Sequence, residues 1–184
     1  MDGLGRDRLR DIAGAAAAFI ASPTIKARIL GIVTEVQDYQ QRQKTTSAGQ
    51  RVDYWTTSIG IIRKAPVVGH GTGSVHESFV RAAAERGSKK SATTNPHNQT
   101  LTVAIQLGFF GTLLLFAMWL SHALLFRQGG LAGWVGLAVV AQNVIGSLFN
   151  NHLFDFTQAW IYMFGVGVAG AMILGAAPQA AGRT

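Results

Sequence analysis

The chain contains no cysteine, only four prolines and few charged residues. Without cysteine it can form neither a disulfide nor a thiolate metal site, and no cysteine nucleophile can act. Charged residues make up 14% of the 184 positions, whereas soluble proteins average about 25%. Together with a hydrophobic share of 48%, this shortage indicates a membrane protein rather than an ordinary soluble domain.

Three stretches lack Asp, Glu, Lys and Arg and approach or exceed the roughly 20 apolar residues that cross a bilayer. They are residues 101–126, 131–149 and 158–174. A weaker, Ala-rich candidate at residues 12–21 is a shortened span, the end of a longer one or an interfacial helix. There is no clear cleavable signal peptide. The sequence predicts an all-α integral membrane protein with three or four transmembrane helices and a large, partly helical periplasmic loop.

Basic residues predict the topology. The net charge is +7, and the positive-inside rule places the N-terminus, the turn at Arg127 and the tail at 177–184 in the cytoplasm. Residues 1–22 hold this cytoplasmic N-terminus and the weak first membrane helix. Residues 23–99 are then an external loop, and residues 100–176 hold the three strong spans. The loop itself is basic, but loops longer than about 60 residues cross largely regardless of charge. A basic external loop suggests an anionic partner such as a lipid phosphate; the alternative is an ordinary solvated surface.

The loop contains three predicted helices. Apolar residues at helical spacing predict an amphipathic helix over residues 24–41 and a second helix over residues 51–64, with Arg51 in its first turn. A short helix is predicted over residues 74–86. The polar stretch 40–50 is predicted to be mobile, and Pro66 is expected to end the second helix.

Three glycines at alternate positions follow that helix: Gly69, Gly71 and Gly73. Their backbone permits positive φ, and N–H groups in such a turn can surround an anion. The pattern is weak by itself, and a purely structural turn is as good an interpretation. Arg63 and Lys64, just before the turn, are further candidates for binding the same anion.

Asn95, Pro96, His97 and Asn98 end the polar segment and begin the apolar one. We expect Asn95 to cap a helix whose first position is Pro96, which puts His97 in the first turn. The positive end of the helix dipole disfavours a charged imidazole, so a neutral ring that can accept a proton is favoured. The alternative is a capped helix start at the membrane surface without catalytic use.

The remaining histidines are weaker candidates. His70 and His76 are six residues apart, a spacing that does not suit a helical metal pair, so we predict no metal site. His122 is expected to be a core histidine with a hydrogen-bond partner. His152 and Asp155 are expected to form an interfacial polar cluster that anchors a helix, although polar groups near a membrane are often functional.

Four short segments resemble the O-antigen ligase family of bacterial inner membranes, in the order and spacing of that family's C-terminal region. They read GQRVDYW at 49–55, IIRKAPVVGHGTGS at 61–74, PHNQTL at 96–101 and QLGFFG at 106–111. The resemblance covers roughly residues 20 to 175. Family members are usually longer, with about a dozen membrane helices, so the chain resembles the C-terminal portion of such an enzyme or a shortened relative.

The resemblance implies an inverting glycosyltransferase at the periplasmic face of the inner membrane. The donor would be a glycan on undecaprenyl diphosphate, and the acceptor a sugar hydroxyl of lipid A–core. His97 matches the family's essential histidine and Arg51 an essential loop arginine; Asn98 would support His97. No cofactor or metal is implied, because the lipid diphosphate is already a good leaving group. The implied partners are these two substrates, membrane lipids and the N-terminal membrane helices of such enzymes.

Other interpretations remain open from the sequence. Relatives with the same loop polymerise O-antigen units or transfer oligosaccharides to proteins. A non-catalytic membrane module, whose basic loop docks on anionic lipid, is a further alternative. Binding to nucleic acid is not expected, because three apolar spans argue against a soluble basic domain.

Overall fold

The computed structural model describes residues 22–42, 46–87, 93–127 and 130–181. Within these ranges the chain is helical and has no β-strand, so the predicted all-α class is confirmed. The candidate first span at residues 12–21 lies outside the described residues. The helices are α1 Pro23–Arg42, α2 Ser47–Ile62, α3 Val75–Glu85, α4 Gln99–Phe126, α5 Gly130–Ser147 and α6 Phe156–Ala181, with a 3-10 turn at His152–Phe154 between α5 and α6.

Three of these helices are long and apolar enough to cross a membrane: Gln99–Phe126, Gly130–Ser147 and Phe156–Gly175. They correspond to the three strong spans predicted from the sequence. Large apolar side chains along them remain exposed, as expected for helices that face lipid; examples are Leu114, Leu131 and Phe164. The chain is therefore an integral membrane protein.

The three long helices pack through a buried core between their inner faces. The fully buried Phe126 ring lies against Gly136 of α5, where any side chain would collide with the ring. Two polar pairs cross the same interior: the Trp119 indole N–H donates to Asn143 Oδ1 at 3.0 Å, and His122 Nδ1 lies 2.7 Å from the Tyr162 hydroxyl. His122 thus has a hydrogen-bonding partner, as predicted. The core members are Val103, Leu115, Trp119, Phe126, Val140, Tyr162 and Ala169.

The chain forms two compact units, residues 1–53 and 54–184. In the first unit, α1 confirms the predicted helix over residues 24–41. The prediction of a mobile stretch through residue 50 is wrong, because α2 already begins at Ser47. Thr46 explains this early start: its hydroxyl oxygen accepts the N–H of Gly49 at 3.2 Å, as an N-cap does. Arg51 therefore lies in the second turn of α2 instead of the first.

In the second unit, the part of α2 after residue 53 and α3 pack on the beginning of α4. Ile61, Val75, Phe79 and Ile105 are buried together, and Tyr54 meets the Phe79 ring edge-on at 6.0 Å between centroids. The predicted helix over residues 74–86 is confirmed as α3. Burial of Ile105 in this small core ties the loop region to the start of the first span.

The first span is interrupted at Gly108, which has φ 60° and ψ −149°. In an unbroken helix the N–H groups of Phe109 and Phe110 would bond to the carbonyls of Ile105 and Gln106. The interruption separates these donors and acceptors. Residues 109–126 alone extend about 27 Å at about 1.5 Å per residue, close to the roughly 30 Å of a bilayer core. The sequence predicted one continuous helix here, and that prediction is wrong.

The glycine loop, residues 66–74, supplies a partner for each of these separated groups. The N–H of Phe109 donates to Pro66 O at 2.8 Å, and the next N–H donates to Val67 O at 3.5 Å. In return the two free carbonyls accept from the N–H groups of His70 at 2.8 Å and Gly71 at 2.9 Å. Broken helices persist in membrane proteins where other parts of the protein satisfy the released groups. The loop performs this role here.

Candidate active site

His97 lies immediately before α4 rather than in its first turn. Its φ of 55° is in the left-handed region, and it is the non-glycine residue with positive φ among those described. The helix begins at Gln99, and the N-cap is Asn98, whose Oδ1 accepts the N–H of Leu101 at 3.0 Å. The predictions that Asn95 is the cap and that His97 lies in the first turn are therefore wrong.

Asn95 has a different role, which explains why the sequence pattern misled. Its Oδ1 accepts the N–H of His97 at 2.7 Å, so it closes a local turn around Pro96. Both asparagines are good caps by residue type, and they lie three positions apart. The local turn at the first leaves the second to cap the helix.

Contacts from two other segments, α2 and the stretch after α5, hold this turn in place. The Trp55 indole N–H donates to Pro96 O at 3.1 Å, and the Asn95 amide donates to Asn150 Oδ1 at 2.9 Å. The Asn98 amide donates to Leu148 O at 3.2 Å. A left-handed conformation costs a non-glycine residue about 1–2 kcal/mol, and it persists where the surroundings fix it. These contacts provide that support.

The ring of His97 is half-buried and lies nearly parallel to the Tyr54 ring, with centroids 6.3 Å apart and planes at 24°. Within the described part of the chain, no group forms a hydrogen bond with its ring nitrogens. The protein thus fixes the backbone and one face of this histidine and leaves its proton-accepting atoms for another molecule. A base must reach the proton it abstracts, and this arrangement permits it.

The three glycines of the loop all have positive φ: 70° at Gly69, 98° at Gly71 and 78° at Gly73. Their N–H groups already donate within the protein, to Ala65 O at 3.1 Å, Gln106 O at 2.9 Å and Gln106 Oε1 at 2.6 Å respectively. The anion cradle stays a prediction that this geometry does not favour. The structural alternative, a turn that docks on the interrupted helix, describes the observed contacts.

The three basic candidates for binding an anion differ in their surroundings. Lys64 forms an ion pair with Glu85, and the hydrogen bond from Lys64 lowers the pKa of that carboxyl below its usual value. Arg63 is exposed, and its guanidinium has no acceptor among the described residues. Arg51 lies half-buried on α2 in the first unit. Arg63 thus has a guanidinium with its donors unused, whereas the ammonium of Lys64 is already paired.

Several other polar residues have structural roles. His70 Nε2 lies 3.0 Å from Ile61 O, and His152 packs against Gly146 with its Nδ1 buried and unpaired. Asp155 caps the start of α6 by accepting the N–H of Gln158 at 2.9 Å; the interfacial cluster of His152 and Asp155 stays a prediction. The described residues contain no cluster of three His, Cys, Asp or Glu side chains that could hold a metal.

Sequence reasoning missed the residues that connect the histidine turn, residues 95–98, to the rest of the unit. Tyr54, Trp55 and Asn150 contact this turn, and Gly108 permits the helix interruption. Residues 49–55 and 106–111 belong to the motifs of the family resemblance, but neither motif indicates which residues it contacts in the folded protein. For Gly108 a signal was available, because a glycine inside an apolar span can mark an interruption.

The fold and these contacts define a class: an integral membrane protein in which a helical loop, seated on an interrupted span, presents a histidine beside the membrane helices. The family model described as O-antigen ligase matches residues 8–116. The chain belongs to the O-antigen ligase family. A search of curated proteins found no match.

The matched region contains His97, Arg51 and the glycine loop, and it ends within α4. The sequence motifs predict a resemblance up to about residue 175, whereas the family match ends at residue 116. The helices α5 and α6 lie outside it. Two residues outside the match, Leu148 and Asn150, nonetheless accept hydrogen bonds from the histidine turn inside it.

Proposed function

We propose that this chain transfers a glycan from undecaprenyl diphosphate to a sugar hydroxyl of lipid A–core at the periplasmic membrane face, with His97 as the general base. Membership in the O-antigen ligase family indicates glycosyl transfer of the ligase or polymerase type. The observation that carries the proposal is the strained but firmly supported backbone of His97, whose ring has no hydrogen-bonding partner among the described residues.

The reaction is a direct displacement in this proposal. The acceptor oxygen forms a bond to the anomeric carbon of the donor sugar while its proton passes to a His97 ring nitrogen. The bond from that carbon to the diphosphate oxygen breaks, and its electron pair remains on the diphosphate. Attack from the face opposite the leaving group inverts the anomeric centre. The imidazolium then returns its proton to solvent or to the released diphosphate.

Arg51 is proposed to bind the diphosphate and to stabilise its developing charge. A guanidinium presents paired N–H donors that match two phosphate oxygens, and such contacts strengthen as charge accumulates on the leaving group. Arg63 is a second candidate, since its guanidinium is exposed and has no acceptor among the described residues. Lys64 is less suited because it is paired with Glu85.

The test is complementation of a ligase-deficient bacterium, read out as O-antigen on lipopolysaccharide. The chain is expressed alone, and also fused to or co-expressed with the N-terminal helices of a ligase-like protein. Each arm carries wild type and His97→Asn. Asparagine tolerates the left-handed region but cannot act as a base at neutral pH, so this variant should fold normally and lose transfer. Equal amounts in the membrane and equal melting temperatures confirm that the loss is chemical.

The outcomes separate the alternatives. Transfer that persists in His97→Asn would show that His97 is not the base. Transfer to growing O-antigen chains or to proteins, instead of lipid A–core, would identify a polymerase or a protein-glycosylating enzyme with the same site. Absence of transfer in every arm, with the protein present in the membrane, would favour a non-catalytic module.

A second experiment tests Arg51. Arg51→Lys keeps the charge but removes the paired donors, so we expect transfer to fall substantially in the active arm. Arg81→Lys is the matched control, because Arg81 is an exposed arginine whose contact is a surface pair with Glu77. If Arg51→Lys and Arg81→Lys transfer equally well, the diphosphate role of Arg51 is wrong.

A further inference from the structure

A polar pocket lies next to the histidine turn. Its volume is about 250 Å³, below the roughly 300–1,000 Å³ of sites for drug-sized ligands. Three short segments form it: residues 94–95 at the start of the histidine turn, residues 150–151 after α5, and residues 154–155 before α6. The lining residues are Thr94, Asn95, Asn150, Asn151, Phe154 and Asp155. Its size suits a single sugar ring better than a large ligand.

Asn150, Asn151 and Asp155, which line the pocket, each use one side-chain oxygen atom for a hydrogen bond within the protein, and their other polar side-chain atoms remain available. Asn151 is buried, and its Oδ1 accepts the Thr102 hydroxyl at 2.7 Å. Asn150 uses its Oδ1 for the Asn95 amide, and Asp155 uses Oδ1 for the α6 cap. The amide N–H₂ groups of Asn150 and Asn151 and the second carboxylate oxygen of Asp155 have no partner in the described parts of the chain. Fixed donors and an acceptor thus remain for a ligand.

The chemistry of the lining suits neutral hydroxyl groups. Asp155 is the ionisable residue of the pocket, so the site is anionic and disfavours a diphosphate. A carboxylate accepts hydrogen bonds from hydroxyls, and amide N–H₂ groups donate to hydroxyl oxygens. Phe154 contributes a flat apolar face and is 61% exposed. A sugar ring presents hydroxyls at its edge and C–H groups on its face, which matches both features.

We propose that this pocket is a subsite for a sugar ring of the acceptor. The inference rests on the proposed function, in which His97 deprotonates an acceptor hydroxyl. Asn95 belongs to the pocket wall, and the same side chain accepts the His97 N–H. A sugar held in the pocket therefore lies against the turn that carries His97, whereas the donor diphosphate binds elsewhere because Asp155 repels it. Phe154 and Asp155 are binding residues for the acceptor.

Direct binding tests the pocket itself. The chain is placed in lipid nanodiscs, since maltoside detergents carry sugars that would compete. Saturation-transfer NMR is then recorded with the methyl glycosides of glucose, galactose, heptose and N-acetylglucosamine. At about 50 mM probe, millimolar binding is detectable. Phe154→Leu keeps an apolar side chain but removes the ring. It should weaken binding by about tenfold, which corresponds to about 1.4 kcal/mol.

The chain offers a matched control in Phe156, which is 80% exposed two positions away and does not line the pocket. Phe156→Leu should leave sugar binding unchanged. Asp155→Asn keeps an oxygen for the α6 cap and removes the charge, so it should weaken binding without lowering the melting temperature. Absence of binding by all four probes, or equal loss in the two Phe→Leu variants, would overturn the proposal. The latter result would identify both rings as membrane anchors.

Kinetics in the active complementation arm separate this inference from the proposed function. Phe154→Leu should raise the KM for acceptor and leave the KM for donor unchanged; a rise in the donor KM instead would overturn the acceptor assignment. His97→Asn should abolish transfer yet bind the methyl glycosides as wild type does. If His97→Asn retains transfer while Phe154→Leu loses sugar binding, the proposed base is wrong and the sugar site stands.

Discussion

The interrupted span makes Gly108→Ala the most informative substitution in this protein. Gly108 combines φ 60° with ψ −149°, at the edge of a region that only glycine occupies readily. A Cβ at this position would collide with the backbone of Val67 and Gly69. Backbone atoms cannot move aside as a flexible side chain can, so the glycine loop would have to leave the helix.

The size of the effect follows from these two contributions. The backbone conformation costs an alanine about 1–3 kcal/mol. Displacing the loop leaves at least one buried N–H or carbonyl of residues 105–110 without a partner, at about 1–3 kcal/mol for each group. We expect a loss of about 2–6 kcal/mol in total, a substantial part of the roughly 5–15 kcal/mol that stabilises a typical protein.

The assay is thermal unfolding in nanodiscs, followed by tryptophan fluorescence, together with limited tryptic digestion. The melting temperature of Gly108→Ala should fall by about 4–24 °C, since each kcal/mol corresponds to about 2–4 °C in a chain of this size. Trypsin should cleave faster after Arg63 and Lys64, because they directly precede the loop that becomes detached.

Two further glycines separate the contributions. Gly60 lies in α2 with open space around its Cβ position, so Gly60→Ala should be neutral or stabilise by up to about 1 kcal/mol. Gly71 has φ 98° and open space, so Gly71→Ala should lose only about 1–2 kcal/mol from backbone strain. If Gly108→Ala melts at the same temperature as Gly71→Ala, the collision with the loop has no consequence and the reasoning fails.

Three further predictions concern other contacts. His97→Gly should be about 1 kcal/mol more stable than His97→Ala, because glycine adopts the left-handed backbone without strain. If calorimetry shows that the alanine variant is equally or more stable, His97 is not strained. The lowered pKa of Glu85 means that its pair with Lys64 stabilises the fold above the carboxyl's ordinary pKa and that this contribution disappears as pH falls through the lowered value. Melting temperatures of wild type and Glu85→Gln should therefore differ slightly at neutral pH and converge as the pH falls through that lowered pKa; a constant difference would argue against the pair. Tyr162→Phe leaves His122 without its hydrogen bond and should lower the free energy of unfolding by about 0.6–2 kcal/mol. The double variant Tyr162→Phe, His122→Phe should recover part of that loss, because no polar group is then left without a partner. Thermal unfolding of both variants measures these differences.

The transmembrane helices were predictable from the sequence alone. Their apolar length is a property of the chain itself, since any uncharged stretch of about 20 residues satisfies the condition for crossing a bilayer. The helix α1 followed in the same way from apolar periodicity. The residues that cap helices and close turns were harder to predict. Thr46, Asn95 and Asn98 are all suitable caps by type, and the structure shows that Asn95 closes a turn while the other two cap helices.

The sequence identified candidate site residues but did not show which residues surround them in the folded protein. His97 and Arg51 stand out through motifs that resemble the O-antigen ligase family, but neither motif contains the partners that fix His97. Trp55 lies 41 positions from Pro96 along the chain, and Asn150 lies 55 positions from Asn95. No periodicity or spacing rule connects residues at such separations, because only the packing of the helices brings them together.

The glycines show most clearly where sequence ends and tertiary structure begins. From the sequence, Gly69, Gly71 and Gly73 indicate a backbone with positive φ, and this property belongs to the residues themselves. Whether their N–H groups face an anion or another part of the chain depends on what lies opposite. In the folded protein the interruption at Gly108 frees two carbonyls, and the loop N–H groups bond to them. Unpaired backbone groups in an apolar environment are too costly to persist, so the loop and the interrupted helix are stable only together.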